Sequence, residues 1–229
     1  MLKKIIFSGY CTIALMSGAQ ASDSADLKII TKLEVGSCTP TMSNNGEANF
    51  GNIPLGNLSG TTTNQLGSRF LTLTITCTAA TTIGWSITDN KKDSVQTLLI
   101  KKPKFNSQDL NDVNYEFGLG RTPGGVKIGA YAVYADLNNI TGDGNNLTLM
   151  YKTDSSATFW TASGTGEIRN DSAYVNACEA GGAMDSIPVA AKTFVFPLKI
   201  TAAIQDTGTL NISDNTPLDG SSTISLVYL

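Results

Sequence analysis

Histidine is absent from all 229 residues. Without an imidazole, Ser-His-Asp and Cys-His nucleophile systems cannot be assembled in their usual forms, and most zinc and copper sites lose their commonest ligand. No apolar run reaches the ~20 residues needed to cross a bilayer as a helix. The nearest approach, Ile5 to Leu15, is short and interrupted by Ser8 and Gly9. Charged residues make up only 15% of the chain and include no basic run or aromatic–basic cluster, so nucleic acid is not an expected partner. Helices of ordinary length, internal repeats and coiled-coil heptads are missing as well.

What is present begins with an export signal. Lys3 and Lys4 form a basic start, Ile5 to Leu15 an apolar centre, and Ala19-Gln20-Ala21 a cleavage site, so residues 1–21 read as a signal peptide and the mature chain is expected to begin at Ser22. Tyr10 stands before Cys11 where a lipoprotein signal needs a small residue. The expected product is exported through the periplasm without a transmembrane span. Losing Lys3 and Lys4 takes Lys and Arg from 16 to 14 against 19 acidic residues, a net charge of about −5.

Short β-rich runs separated by turn residues recur along the rest, which points to an all-β sandwich or barrel. The runs are 27–35, 47–53, 69–77, 83–88, 96–101, 114–119, 126–135, 147–152, 157–162, 193–204, 208–212 and 222–229. The Ala- and Gly-rich stretch 171–192 reads as a short helix or an irregular loop, and 138–190 as looser decoration of one domain. Cys38, Cys77 and Cys178 survive cleavage, and the first two are the expected pair in an oxidising compartment. Closing that loop is worth roughly 4 kcal/mol on the chain-entropy model. Cys178 is left over, either a half-buried thiol or the source of an intermolecular bridge.

Motifs for chemistry are weak. Gly118-Leu119-Gly120 with Gly124 echoes a nucleotide loop but lacks the strand–loop–helix context, and reads as a turn-rich connection. Asp143-Gly144-Asn145-Asn146 offers oxygens without the spaced carboxylates of a calcium loop. Trp85 and Trp160 could stack on a sugar beside Tyr131 or Tyr134, although burial in a sandwich core is the commoner fate. No catalytic residue, metal ligand or cofactor site is assigned, and no enzymatic activity is expected.

The strongest pattern lies at the two ends. Leu27, Ile29, Leu33 and Val35 alternate with Lys28, Lys32 and Glu34, and the chain closes on another alternating run, Ile224 to Leu229. The first run is either the ordinary first strand of a closed sandwich or a segment that completes a neighbour's sheet by strand addition. Burying Leu27, Ile29 and Leu33 in such a groove would contribute roughly 5–9 kcal/mol before ordering costs.

Val35-Gly36-Ser37-Cys38, Asn49-Phe50-Gly51-Asn52-Ile53, Thr72-Leu73-Thr74-Ile75-Thr76-Cys77 and the penultimate Tyr228 together resemble subunits of the chaperone–usher fimbriae of Gram-negative bacteria. The Cys38-Thr39-Pro40 start is similar to that of a group of enterobacterial fimbrial-like proteins. The resemblance implies an immunoglobulin-like (pilin-type) β-sandwich that lacks one strand, here spanning 33–229 with an insertion in the middle. It further implies a Cys38–Cys77 disulfide, and a donor-strand segment over 22–32 with Leu27, Ile29 and Thr31 as donor positions. Ile224, Leu226 and Tyr228 become the groove edge gripped by a periplasmic pilus chaperone, with an outer-membrane usher and neighbouring subunits as further partners. The implied function is that of a structural shaft or adaptor subunit of a fimbrium at the cell surface. A secreted carbohydrate- or surface-binding module is the alternative, and a secreted hydrolase with two carboxylates in a cleft is the third reading. The chain departs from the pattern at Asp214, where pilins often carry glycine, and at Cys178, which is extra.

Overall fold

The computed structural model describes residues 31, 36–153, 159–181, 187–212 and 216–229. The fold is nearly all β, and every pairing of named strands among the described residues is antiparallel. Among the described residues eleven strands form one open sheet: β1 (Cys38–Met42), β2 (Asn64–Asp89), β3 (Phe117–Gly118), β4 (Gly129–Ala135), β5 (Thr141–Gly142), β6 (Asn145–Asn146), β7 (Thr148–Lys152), β8 (Thr161–Ala162), β9 (Val175–Glu179), β10 (Ala190–Ile204) and β11 (Ser222–Tyr228). The main path runs β3-β4-β10-β2-β9-β7-β8, with β1 and β11 also on β2 and the β5–β6 hairpin on β10.

The organising element is β2. At 26 residues it would extend about 85 Å if straight. Instead its first half pairs with β1 and β10, and its second half with β11 and β9. Period two holds through both halves. Leu71, Leu73, Ile75, Cys77, Ile83, Trp85 and Ile87 are all buried in one core with Leu149, Cys178, Phe194, Phe196 and Leu198. Trp85 meets Phe196 edge-on at 5.4 Å. Burying each such side chain contributes about 1.5–3 kcal/mol relative to leaving it in water, so one strand ties the two halves of the sheet to a single core.

The runs expected at 69–77 and 83–88 are thus one strand. Thr78-Ala79-Ala80-Thr81-Thr82 breaks the apolar alternation without ending the strand: the ladder with β10 shifts register after Thr76 and resumes where Ala191 and Ala190 pair with Thr81 and Thr82. The expected strand at 47–53 is instead a turn region, where Gly51 at φ +72° donates its N–H to Asn49 Oδ1 at 2.6 Å. The expected strand at 208–212 is replaced by one helical turn, α1 (Thr207–Leu210), capped by Asp206 accepting Thr209 N–H at 2.8 Å. In 171–192, read as helix or loop, lies the fully buried strand β9. The middle of the chain is part of the sheet rather than an appendage to it, since β5 to β9 all fall between 138 and 190.

The run at 96–101 is not a strand but one limb of a cover laid over the outer face of β4. Ile100 and Leu110 exchange backbone hydrogen bonds at 2.9 Å and bury themselves against Ala130, Ala132, Tyr134 and Ala203. Gln65 pins this limb by donating to Leu99 O at 2.8 Å and accepting Lys101 N–H at 2.9 Å. Beneath it the fully buried Glu116 accepts Leu98 N–H at 3.3 Å and Asp112 N–H at 3.1 Å, joining the two limbs. Burial pushes the Glu116 carboxyl up to about 7, against the opposing pull of those two N–H donors.

Candidate assembly edge

At Ile75, β10 occupies one side of β2, so β1 takes the other. At Trp85, β9 stands on one side and β11 on the other. Val189 N–H donates to Cys178 O at 2.8 Å, which places β9 on the same side as the start of β10. It follows that β1 and β11 lie end to end along the opposite side of β2, both antiparallel to it. Among the described residues no strand pairs with the outer edge of either.

The hydrogen-bond phase fixes which groups face outward. Asn90 N–H donates to Ser221 O at 2.9 Å and Leu229 N–H to Thr82 O at 3.3 Å, so 221, 223, 225, 227 and 229 bond to β2. The alternation of an antiparallel ladder then turns the N–H and C=O groups of Ser222, Ile224, Leu226 and Tyr228 away from β2, toward the open edge. Ile224 and Leu226 are half-buried and pack on the main core, while Tyr228 is 54% exposed. Sequence reasoning had named Ile224, Leu226 and Tyr228 by resemblance, and all three share this edge. Unpaired edges of this kind are where another chain can add a strand.

The β1 edge is built differently. Thr78 N–H donates to Ser37 O at 2.9 Å, which directs Cys38, Pro40 and Met42 outward. Cys38 N–H is engaged by Tyr228 Oη at 2.8 Å, and Pro40 has no N–H to offer. Cys38 and Cys77 stand opposite each other in register and form the disulfide, the pairing expected from the sequence. Gly36 precedes β1 where a Cβ would run into Thr81 Oγ1, so glycine is needed for the close approach to β2. Of the donor positions named from the sequence, Leu27 and Ile29 lie outside the described residues, and Thr31 is exposed and in no strand. Gly36 and Pro40 belong to the Val35-Gly36-Ser37-Cys38 and Cys38-Thr39-Pro40 motifs quoted from the sequence, but their edge roles were not read there, although a proline within a strand-like run signals an edge.

The other motifs are occupied structurally. Gly118 N–H donates to Asp89 Oδ2 at 2.8 Å and Gly120 N–H to Ser94 Oγ at 3.0 Å, so both of these glycine N–H groups are used within the fold. Asp143-Gly144, at φ +48° and +82°, forms the two-residue turn between β5 and β6. Trp85, Tyr131 and Tyr134 are buried, while Trp160 is half-buried under Lys152 Nζ at 5.0 Å. Cys178 is a buried free thiol, pushed well above its ordinary pKa by desolvation. A cluster missed from the sequence joins Tyr151 and Tyr174, stacked at 4.4 Å, with Arg169 at 5.1 Å over the Tyr174 ring. Arg169 is committed to Asp171 through bonds of 3.1 and 2.7 Å, which hold the Asp171 carboxyl below its usual range. Among the described residues no helix is long and apolar enough to cross a membrane.

An antiparallel all-β protein with a disulfide between its first two strands and an open terminal edge is the class these features define. A family model described as protein of unknown function (DUF1120) matches residues 27–132. The chain is 30% identical over 240 residues to a relative named "Uncharacterized protein YhcF" from Escherichia coli (strain K12), covering 99% of this chain and 98% of that protein. It is 33% identical over 232 residues to "Protein GltF" of the same strain, covering 92% and 91%. The chain belongs to the DUF1120 family, with YhcF and GltF as relatives. No solved structure matches it.

Proposed function

We propose that this chain is a non-enzymatic structural subunit of a chaperone–usher-type fimbria, exported through the periplasm and joined to its neighbours by strand addition. The observation that carries this reading is the outward row of main-chain groups on β11 with half-buried Ile224 and Leu226 beneath it. On this reading the sheet is an immunoglobulin-like sandwich short of one strand, and residues 22–32 of one subunit fill the gap in the next. A periplasmic chaperone holds the β11 edge until an outer-membrane usher exchanges it for that segment. The disulfide, formed in an oxidising compartment, agrees with the route.

Deleting residues 22–32 tests it. Purified full mature chain should form concentration-dependent oligomers on size exclusion, and the deletion should remain monomeric while still accepting an added peptide of residues 22–35. Oligomers of the same size from the deleted chain would overturn the proposal.

A further inference from the structure

A donor segment of residues 22–35 is longer than the edge it would fill. Fourteen extended residues reach about 46 Å, whereas the seven of β11 span about 23 Å. One face of the segment carries Leu27, Ile29, Thr31, Leu33 and Val35, apolar at every position except Thr31. Slipping by two residues therefore keeps the same face inward, and the alternation by itself selects no register. A strand running along β11 could also continue past its end, because β1 begins where β11 finishes.

The groups at that junction prevent this. Beyond Tyr228 the first outward donor of β1 is Cys38 N–H, which is taken by the Tyr228 phenol at 2.8 Å. The outward position after it is Pro40, which has no N–H. No free outward donor then appears until Met42 at the end of β1. An added strand thus finds paired outward groups at Ser222, Ile224, Leu226 and Tyr228, and then a gap. Pairing beyond it would leave the newcomer's carbonyls without partners, a cost of about 1–3 kcal/mol for each one buried.

We infer that Tyr228 is a register stop: its hydroxyl closes the β1 edge at Cys38, Pro40 keeps it closed, and residues 22–35 of a second copy are confined to β11. This rests on the assembly reading above and adds the residue that sets where the donor ends. Tyr228 acts as a positioning residue, through the Cys38 amide rather than through the donor.

Amide-resolved hydrogen exchange on the full mature chain, diluted until size exclusion shows monomer, separates the two claims. Without peptide, Cys38 N–H should exchange slowly, and the Tyr228→Phe chain, which loses only the hydroxyl, should exchange it at least tenfold faster. Adding excess synthetic peptide of residues 22–35 should slow Ile224 and Leu226 at least tenfold and leave Met42 at its peptide-free rate. With Tyr228→Phe the slowing should spread to Cys38. Peptide-induced slowing of Met42 in the unaltered chain, or an unchanged Cys38 rate in Tyr228→Phe, overturns the stop. Absence of slowing at every β11 amide overturns the assembly reading, and the register stop with it.

Discussion

The Asp143 carboxylate accepts the backbone N–H groups of Lys192, at 3.1 Å from each oxygen, and of Thr193, at 2.8 Å. Lys192 is the residue skipped where β10 shifts register against β2 between Ala191 and Thr193. The hairpin turn of β5–β6 thus supplies the acceptor that this irregularity lacks. Asp143→Ala should cost about 0.5–1.5 kcal/mol through the loss of these solvent-accessible hydrogen bonds, and Asp143→Asn clearly less, read as urea midpoints at constant slope. Equal midpoints for all three chains would mean that the bulge is held by the ladder alone.

Reducing the Cys38–Cys77 bond, or replacing Cys38 with Ser, should lower stability by about 2–4 kcal/mol, since 39 residues separate the two cysteines. Denaturant unfolding with and without reductant measures this. Coincident curves would assign the tie between β1 and β2 to their ladder.

Trp85 is fully buried, and its indole N–H has no hydrogen-bond partner among the described residues. Trp85→Phe removes that orphan donor while keeping a ring against Phe196, so its cost should stay within about 1 kcal/mol, whereas Trp85→Ala should cost about 3–5 kcal/mol. Thermal melts of the two variants check the contrast. A Phe variant as damaged as the Ala variant would show that ring size, and not the unpaired N–H, governs this site.

Glu116 makes stability depend on pH with a definite sign. Its carboxyl is raised from 4.5 to about 7 in the folded protein. The folded state therefore holds the proton more tightly, and this contribution is complete below about pH 4.5 and lost as pH rises through about 7. It is on the order of 2 kcal/mol. Glu116→Gln should flatten the stability profile in that window relative to the unaltered chain, with Asp89, also raised by burial, leaving a residual slope of the same sign. A profile that keeps its full slope in Glu116→Gln would place the titration elsewhere.

The sequence made the inward faces legible wherever apolar residues alternate, as from Phe70 to Cys77 and from Ile83 to Thr88. It failed where tertiary pairing decides. Thr78 to Thr82 carries no apolar signal, yet β2 runs through it, because β10 pairs on both sides of the irregularity, up to Thr76 and again at Thr81 and Thr82. Leu98 and Ile100 alternate like a strand but serve as a lid, because Gln65 and Glu116 use the hydrogen bonds that a ladder would have taken. β9 was hidden by Asn176, Ala177 and Cys178, small or polar residues buried along a strand that is covered on both faces. The edge residues Ile224, Leu226 and Tyr228 were readable, but their outward backbone phase came only from the register against β2.

The shared strand β2 has a consequence for the order in which the chain can become native. Ile83, Trp85 and Ile87 receive their partner on one side from β11, which comes far later in the chain than β2 itself. The contact from Cys38 to Tyr228 closes across 190 positions. Few of the sheet's pairings are local, so the loop-closure entropy falls late and the chain is expected to fold slowly. Until β11 docks, the second half of β2 stands with one side bare, and that is the interval in which an edge-binding helper would have the most to cover.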